Sequence, residues 1–140
     1  TDARISLTQL SQKVGLSKTP VAARIKQLED VGLITGYRAI LSTNQLGLSH
    51  IAFLEVRLDD TREQALLEFN AAVKKVPEVA ECHMIAGGFD YLLKVRTSSI
   101  DAYRQVMGQR ISTLPHVQST STFVAMETVV EQTNPPLTSV

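Results

Sequence analysis

His50-Ile51-Ala52-Phe53-Leu54-Glu55-Val56-Arg57-Leu58-Asp59 alternates along its length. Ala52, Leu54, Val56 and Leu58 fall on one face of an extended chain, and Ile51, Phe53, Glu55 and Arg57 on the other. That alternation marks a strand with one wholly apolar face and one mixed face.

The residues after this strand set the architecture. Leu66, Phe69, Val73 and Val76 make a helical stripe within residues 61–76, which Pro77 closes. Residues 79–86 read as a strand, Gly87-Gly88 as a turn and residues 90–96 as another strand. Ser98 or Ser99 caps a helix carrying Ile100, Tyr103, Met107 and Leu114, and Pro115 closes it. Residues 117–131 read as a long last strand, and residues 132–140 as a flexible tail. Residues 50–131 therefore have the order βαββαβ, an α+β unit with a split βαβ or ferredoxin-like sheet. Right-handed crossovers put both helices on one face. The other face, with Ile51 and Phe53, is left uncovered. Open apolar sheet faces find partners, so the unit is expected to self-associate, most simply as a two-fold dimer.

Ahead of the strand lie two short helices. Leu7, Leu10 and Val14 form one stripe, with Ser6 as cap and Gly15 as stop. Val21, Ile25 and Leu28 form the second, with Ser17 as cap, Pro20 in the first turn and Gly32 at the end. Two helices joined by Gly15-Leu16 have the spacing of a helix-turn-helix. Residues 33–41 read as a short strand or wing, which makes residues 1–41 a (winged) helix-turn-helix segment; residues 42–49 are polar and turn-rich, a linker.

The bulk properties agree. The chain has 140 residues, 44% hydrophobic and 20% charged, as in a globular protein. The net charge is zero, but residues 1–48 hold six Lys/Arg against Asp2, Glu29 and Asp30, and the remainder is acidic. A basic front half suits a polyanion. No apolar run is long enough to span a bilayer, and the amino terminus is polar, with no signal-peptide pattern. The single cysteine, Cys82, fits a reducing cytoplasm.

On the second helix, Thr19, Ala22, Ala23, Lys26 and Gln27 point away from the apolar stripe. Ala22 and Ala23 allow close approach to base edges, and Lys18, Arg24 and Lys26 can reach phosphates or guanine acceptors. With Ser17 and Thr19 they make the candidate DNA-binding set. The bland alternative is a solvated helix with a few basic residues.

Gly87-Gly88-Phe89-Asp90-Tyr91 can be a tight hairpin whose glycines supply positive φ. It can also be a site. Bare N–H groups of Gly87 or Gly88 suit a carboxylate and Asp90 suits an ammonium, the two ends of an amino acid. Tyr91 belongs to the same loop, and Thr120 and Thr122 on the last strand are further polar candidates.

Catalysis is not expected. Cys82 and His83 are neighbours on a strand and so face opposite ways. His50, His83 and His116 lack metal-ligand spacing, and there is no phosphate-cradling loop or nucleophile elbow. Neither a metal nor a cofactor is expected.

The run Arg4-Ile5-Ser6-Leu7 through Val14-Gly15-Leu16-Ser17-Lys18-Thr19-Pro20-Val21 to Gly32-Leu33-Ile34-Thr35-Gly36-Tyr37 resembles the helix-turn-helix of the leucine-responsive/asparagine-regulator (Lrp/AsnC) family. Gly87-Gly88-Phe89-Asp90-Tyr91-Leu92-Leu93 resembles part of that family's ligand-sensing domain, and the likeness spans about residues 2–131. It implies a transcription regulator of amino-acid metabolism. The partners would be double-stranded DNA and a small effector, an amino acid, bound near the glycine loop between dimers. It also implies dimers that assemble further, up to an octamer. A further helix is expected ahead of the two read here, so the head reads as lacking its first helix. Two rivals stand beside this reading: an architectural DNA-binding protein without effector, and a metabolite-binding ferredoxin-like oligomer.

Overall fold

The computed structural model describes residues 21–132 and 134. The expected first helix, and Ser17, Lys18 and Thr19, lie outside the described residues. The described residues fall into two compact units, one running up to Leu41 together with those from Val130 onward, the other Ser42–Val129. The segment expected as a linker thus groups with the second unit.

In the first unit, helix α1 spans Val21–Asp30. Gly32 stops it, at φ 82°. The N–H of Leu33 reaches the Leu28 carbonyl at 2.9 Å, and that of Gly32 reaches the Glu29 carbonyl at 3.0 Å. This pair of bonds is the Schellman closure, which needs a left-handed residue and so favours glycine. Residues 33–41 join no strand ladder.

The second unit is built on β1, His50–Leu58, followed by α2, Glu63–Val73. Strands β2, Val79–Met84, and β3, Tyr91–Thr97, come next. Then come α3, Ile100–Val106, and β4, Val117–Val124. The sheet order is β2-β3-β1-β4, antiparallel throughout, the ferredoxin-like arrangement expected for βαββαβ. Ser99 caps α3, accepting from the Ala102 N–H at 3.1 Å. A π-helical turn, Met107–Ile111, continues α3 and buries Ile111.

The alternation of β1 places the core. Ala52, Leu54, Val56 and Leu58 join Tyr91, Leu93 and Val95 of β3 beneath Phe69 and Val73 of α2 and Tyr103 of α3. On the opposite face Phe53 is half-buried and lies in register with Phe123 of β4, which is 55% exposed. Ile51, expected to be uncovered there, is buried. It sits opposite Arg96, and its carbonyl receives the Ala125 N–H.

The last strand is shorter than expected. It ends at Val124, opposite Ala52, and in that register residues 127–131 run past the start of β1 at His50. Helix α2 starts later than residue 61. The Asp60 carboxylate takes both the backbone and the side-chain N–H groups of Arg62, fixing a turn before Glu63. Those hydrogen bonds lower the Asp60 pKa to about 2.

Candidate functional site

The glycine loop joins β2 to β3. The Ile85 N–H donates to the Asp90 carbonyl at 2.9 Å and closes it. Asp90 is fastened to β1 twice. Its N–H donates to the Val56 carbonyl at 2.9 Å, and its Oδ2 accepts the Leu58 N–H at 2.7 Å. The carboxylate therefore stands in for a ladder partner.

The glycines do not serve the purpose expected of them. Positive φ among the described glycines occurs at Gly32 and Gly47, not at Gly87 or Gly88. A Cβ on Gly88 would meet nothing within 4 Å, and one on Gly87 would make an ordinary 3.6 Å contact with the Ile85 side chain. Neither backbone conformation nor packing within the chain calls for glycine. Both residues are exposed, so bare backbone faces outward there.

The remaining candidates sit elsewhere. Tyr91 has 2% exposure and points into the core. Its ring packs on Phe69 with centroids 4.3 Å apart, and its hydroxyl donates to Asn70 Oδ1 at 2.6 Å. Burial pushes its phenol pKa up. Thr120 is in register with Val56, so β1 stands between it and Asp90. Thr122 lies opposite Leu54, and its hydroxyl is 2.6 Å from that of Tyr103. The structure gathers Gly87, Gly88 and Asp90 in one loop, while the side chains of Tyr91, Thr120 and Thr122 lie on the helix-covered face of the sheet. The Leu58 N–H, which helps hold Asp90, carries no signal in the sequence because any residue can supply it.

In α1, Val21, Arg24, Ile25 and Leu28 are half-buried, whereas Ala22, Ala23, Lys26 and Gln27 are exposed. The outward face is as expected, but Arg24 of the candidate DNA-binding set does not lie on it. That residue sides with the inner stripe, and its guanidinium donates to Gln27 Oε1 at 3.2 Å. Cys82 is half-buried, and burial raises its thiol pKa, as suits a core thiol rather than a nucleophile. Among the described residues, no group of three or more His, Cys, Asp or Glu side chains is arranged to hold a metal ion. No helix among them is long and apolar enough to cross a membrane.

A helix with a small, partly basic outward face, ahead of a ferredoxin-like unit, fits a two-part DNA-binding regulator. Winged helix-turn-helix DNA-binding domains match residues 1–35, and the Lrp/AsnC ligand binding domain matches residues 51–135. The chain belongs to the Lrp/AsnC family of transcriptional regulators; it is not an enzyme. It is 64% identical, over 97% of its length and 88% of the relative's, to the proline dehydrogenase transcriptional activator of Rhodobacter capsulatus. It is 44% identical, over 91% of its length, to the leucine-responsive regulatory protein of Escherichia coli, covering 78% of that protein. A solved transcriptional regulator of Neisseria meningitidis, in complex with L-methionine, matches with a TM-score of 0.81 at 31% identity. That match covers 94% of this chain and 84% of the other.

Proposed function

We propose that this regulator binds operator DNA in the cytoplasm as a homodimer that assembles further, up to an octamer. An amino acid at the glycine loop tunes that binding. L-Proline is the first effector to test, because the R. capsulatus relative activates the gene of a proline-consuming enzyme. The L-methionine complex of the Neisseria structure supports the chemical class. The observation that carries the site is the pair of outward glycines that the fold does not need, beside a carboxylate. A glycine costs roughly 0.5–1 kcal/mol of chain entropy relative to alanine in regular structure, and close approach by a ligand carboxylate accounts for bare N–H groups here. Asp90 meets the ammonium. On DNA, Ala22, Ala23, Arg24 and Lys26 of α1 serve with Ser17, Lys18 and Thr19. Dimers form on the open sheet face around Phe53 and Phe123, where two aromatic side chains stand side by side on neighbouring strands.

The test is a gel-shift titration on DNA upstream of a proline dehydrogenase gene, at two salt concentrations, with and without L-proline. Salt-sensitive binding that proline alters supports the reading. Binding that none of the twenty amino acids alters leaves the architectural rival as the better account. The loop is tested separately. Gly88→Ala should leave stability unchanged or raised by about 0.4–1 kcal/mol, since the position is open and its φ is ordinary. Effector affinity should fall at least about tenfold, or ~1.4 kcal/mol. Calorimetric titration with the effector reads this; unchanged affinity removes the loop from the site.

A further inference from the structure

Three elements meet around one imidazole at the exit of β1. His116 enters β4 with φ 68°, in the left-handed region that a side chain with a Cβ seldom occupies. Its contacts hold it there. Its carbonyl accepts the Asp59 N–H at 2.9 Å. Its Nε2 lies 2.6 Å from Glu68 Oε1 on α2, and its Nδ1 lies 3.8 Å from Asp59 Oδ1. Asp60 adds negative charge to the ring's surroundings and is itself paired with Arg62 at 2.9 Å. The chain neighbours, Pro115 and Val117, carry no charge. Both ring nitrogens thus face carboxylates. An ionised carboxylate only accepts hydrogen bonds, so Nε2 carries the proton of its 2.6 Å bond to Glu68, and the negative charge of Asp59 at 3.8 Å favours a second proton on Nδ1.

We propose that His116 is a proton-operated latch of the sensing unit: as an imidazolium it ties the β1 exit and α2 to the start of β4, and loss of its charge loosens that tie. The latch acts on backbone next to the glycine loop. Asp59, held by His116, directly follows Leu58, held by Asp90.

The hydrogen bond to Glu68 raises the His116 pKa above its ordinary value, and the same bond lowers that of Glu68. A raised folded pKa gives stability that is complete below the unfolded value of about 6.5 and is lost as pH rises through the folded value. The lowered Glu68 pKa adds stability that is complete above the unfolded value of about 4.3 and is lost as pH falls through the folded one. The latch is therefore strongest between about pH 4.3 and 6.5 and loosens on the alkaline side.

The ring titrations of the full chain by NMR, and its denaturant midpoints from about pH 5.5 to about pH 8, test this in the wild type and in Glu68→Gln. The His116 midpoint should be higher in the wild type than in Glu68→Gln. The wild type should also lose more of its unfolding midpoint across that range. His116→Asn, whose side chain tolerates the left-handed backbone, should lose the same pH-dependent increment. His50 and His83 are common to every variant, so differences between variants report on His116. Equal His116 midpoints in the wild type and Glu68→Gln overturn the latch. So does an undiminished pH slope in His116→Asn. Should a variant not fold, the wild-type ring alone decides, and a midpoint at or below about 6.5 overturns the proposal.

Discussion

Phe69→Ala is expected to lower the stability of the sensing unit by about 3–5 kcal/mol. Phe69 is fully buried on the inner face of α2. Its ring packs on Tyr91 with centroids 4.3 Å apart and planes tilted by 38°. Truncation removes the transfer energy of the ring, leaves a cavity under α2, and removes an aromatic pair worth about 0.5–1.5 kcal/mol beyond its area. The neighbourhood is poorly able to collapse into the hole. Tyr91 is held at its far end by Asn70, one residue along the helix from Phe69, and at its near end by the β1–β3 ladder. Denaturant unfolding at fixed protein concentration measures the change, since any assembly makes apparent stability depend on concentration. A loss below about 1 kcal/mol would mean that α2 does not anchor on the sheet through this residue. Phe69→Leu keeps most of the volume and should cost far less, which separates the cavity from a general intolerance of change.

The same pair explains what is legible in the sequence and what is not. The alternation in β1 assigns Leu54 and Val56 to the core without any knowledge of the neighbouring strands. The glycine at 32 marks a helix end because the closure it forms is local. Tyr91 is different. Its face depends on standing opposite Val56, and a register between distant strands is invisible until the fold is known. Thr120 and Thr122 share that parity, opposite Val56 and Leu54, which turns them toward the helices. The final strand reads too long for a related reason. A favourable pattern continues past Val124, but a strand also requires a partner, and β1 begins only two residues before the one that faces Val124. The role of the outward glycines is legible in kind but not in cause: positive φ is the reason that the sequence suggests, and the backbone does not use it. His116 leaves no signal, because its carboxylate partner Glu68 lies 48 residues away on another element.

Ala23→Glu is expected to weaken operator binding by roughly 100-fold or more, the cost of several kcal/mol when like charges are brought together. Ala23 is exposed on α1, beside Ala22, Lys26 and Gln27, while Val21, Ile25 and Leu28 turn inward. A small residue at this position lets the helix backbone approach the groove, where the phosphates set a strongly negative potential. Glutamate there adds bulk and a negative charge together. Alanine and glutamate differ little in helix propensity, so the head should keep its fold. Ala71→Glu makes the same chemical change on an exposed face of α2, in the other unit, and should leave DNA affinity unaltered. Lys26→Ala should act more gently, weakening binding similarly on all sequences and lowering the salt slope by about one. Fluorescence anisotropy with labelled operator at two salt concentrations distinguishes these effects. If Ala23→Glu binds within about threefold of the wild type, less than the ~1 kcal/mol a single contact contributes, the outward face of α1 does not lie in the groove. The basic residues of the head would then have to act from another surface.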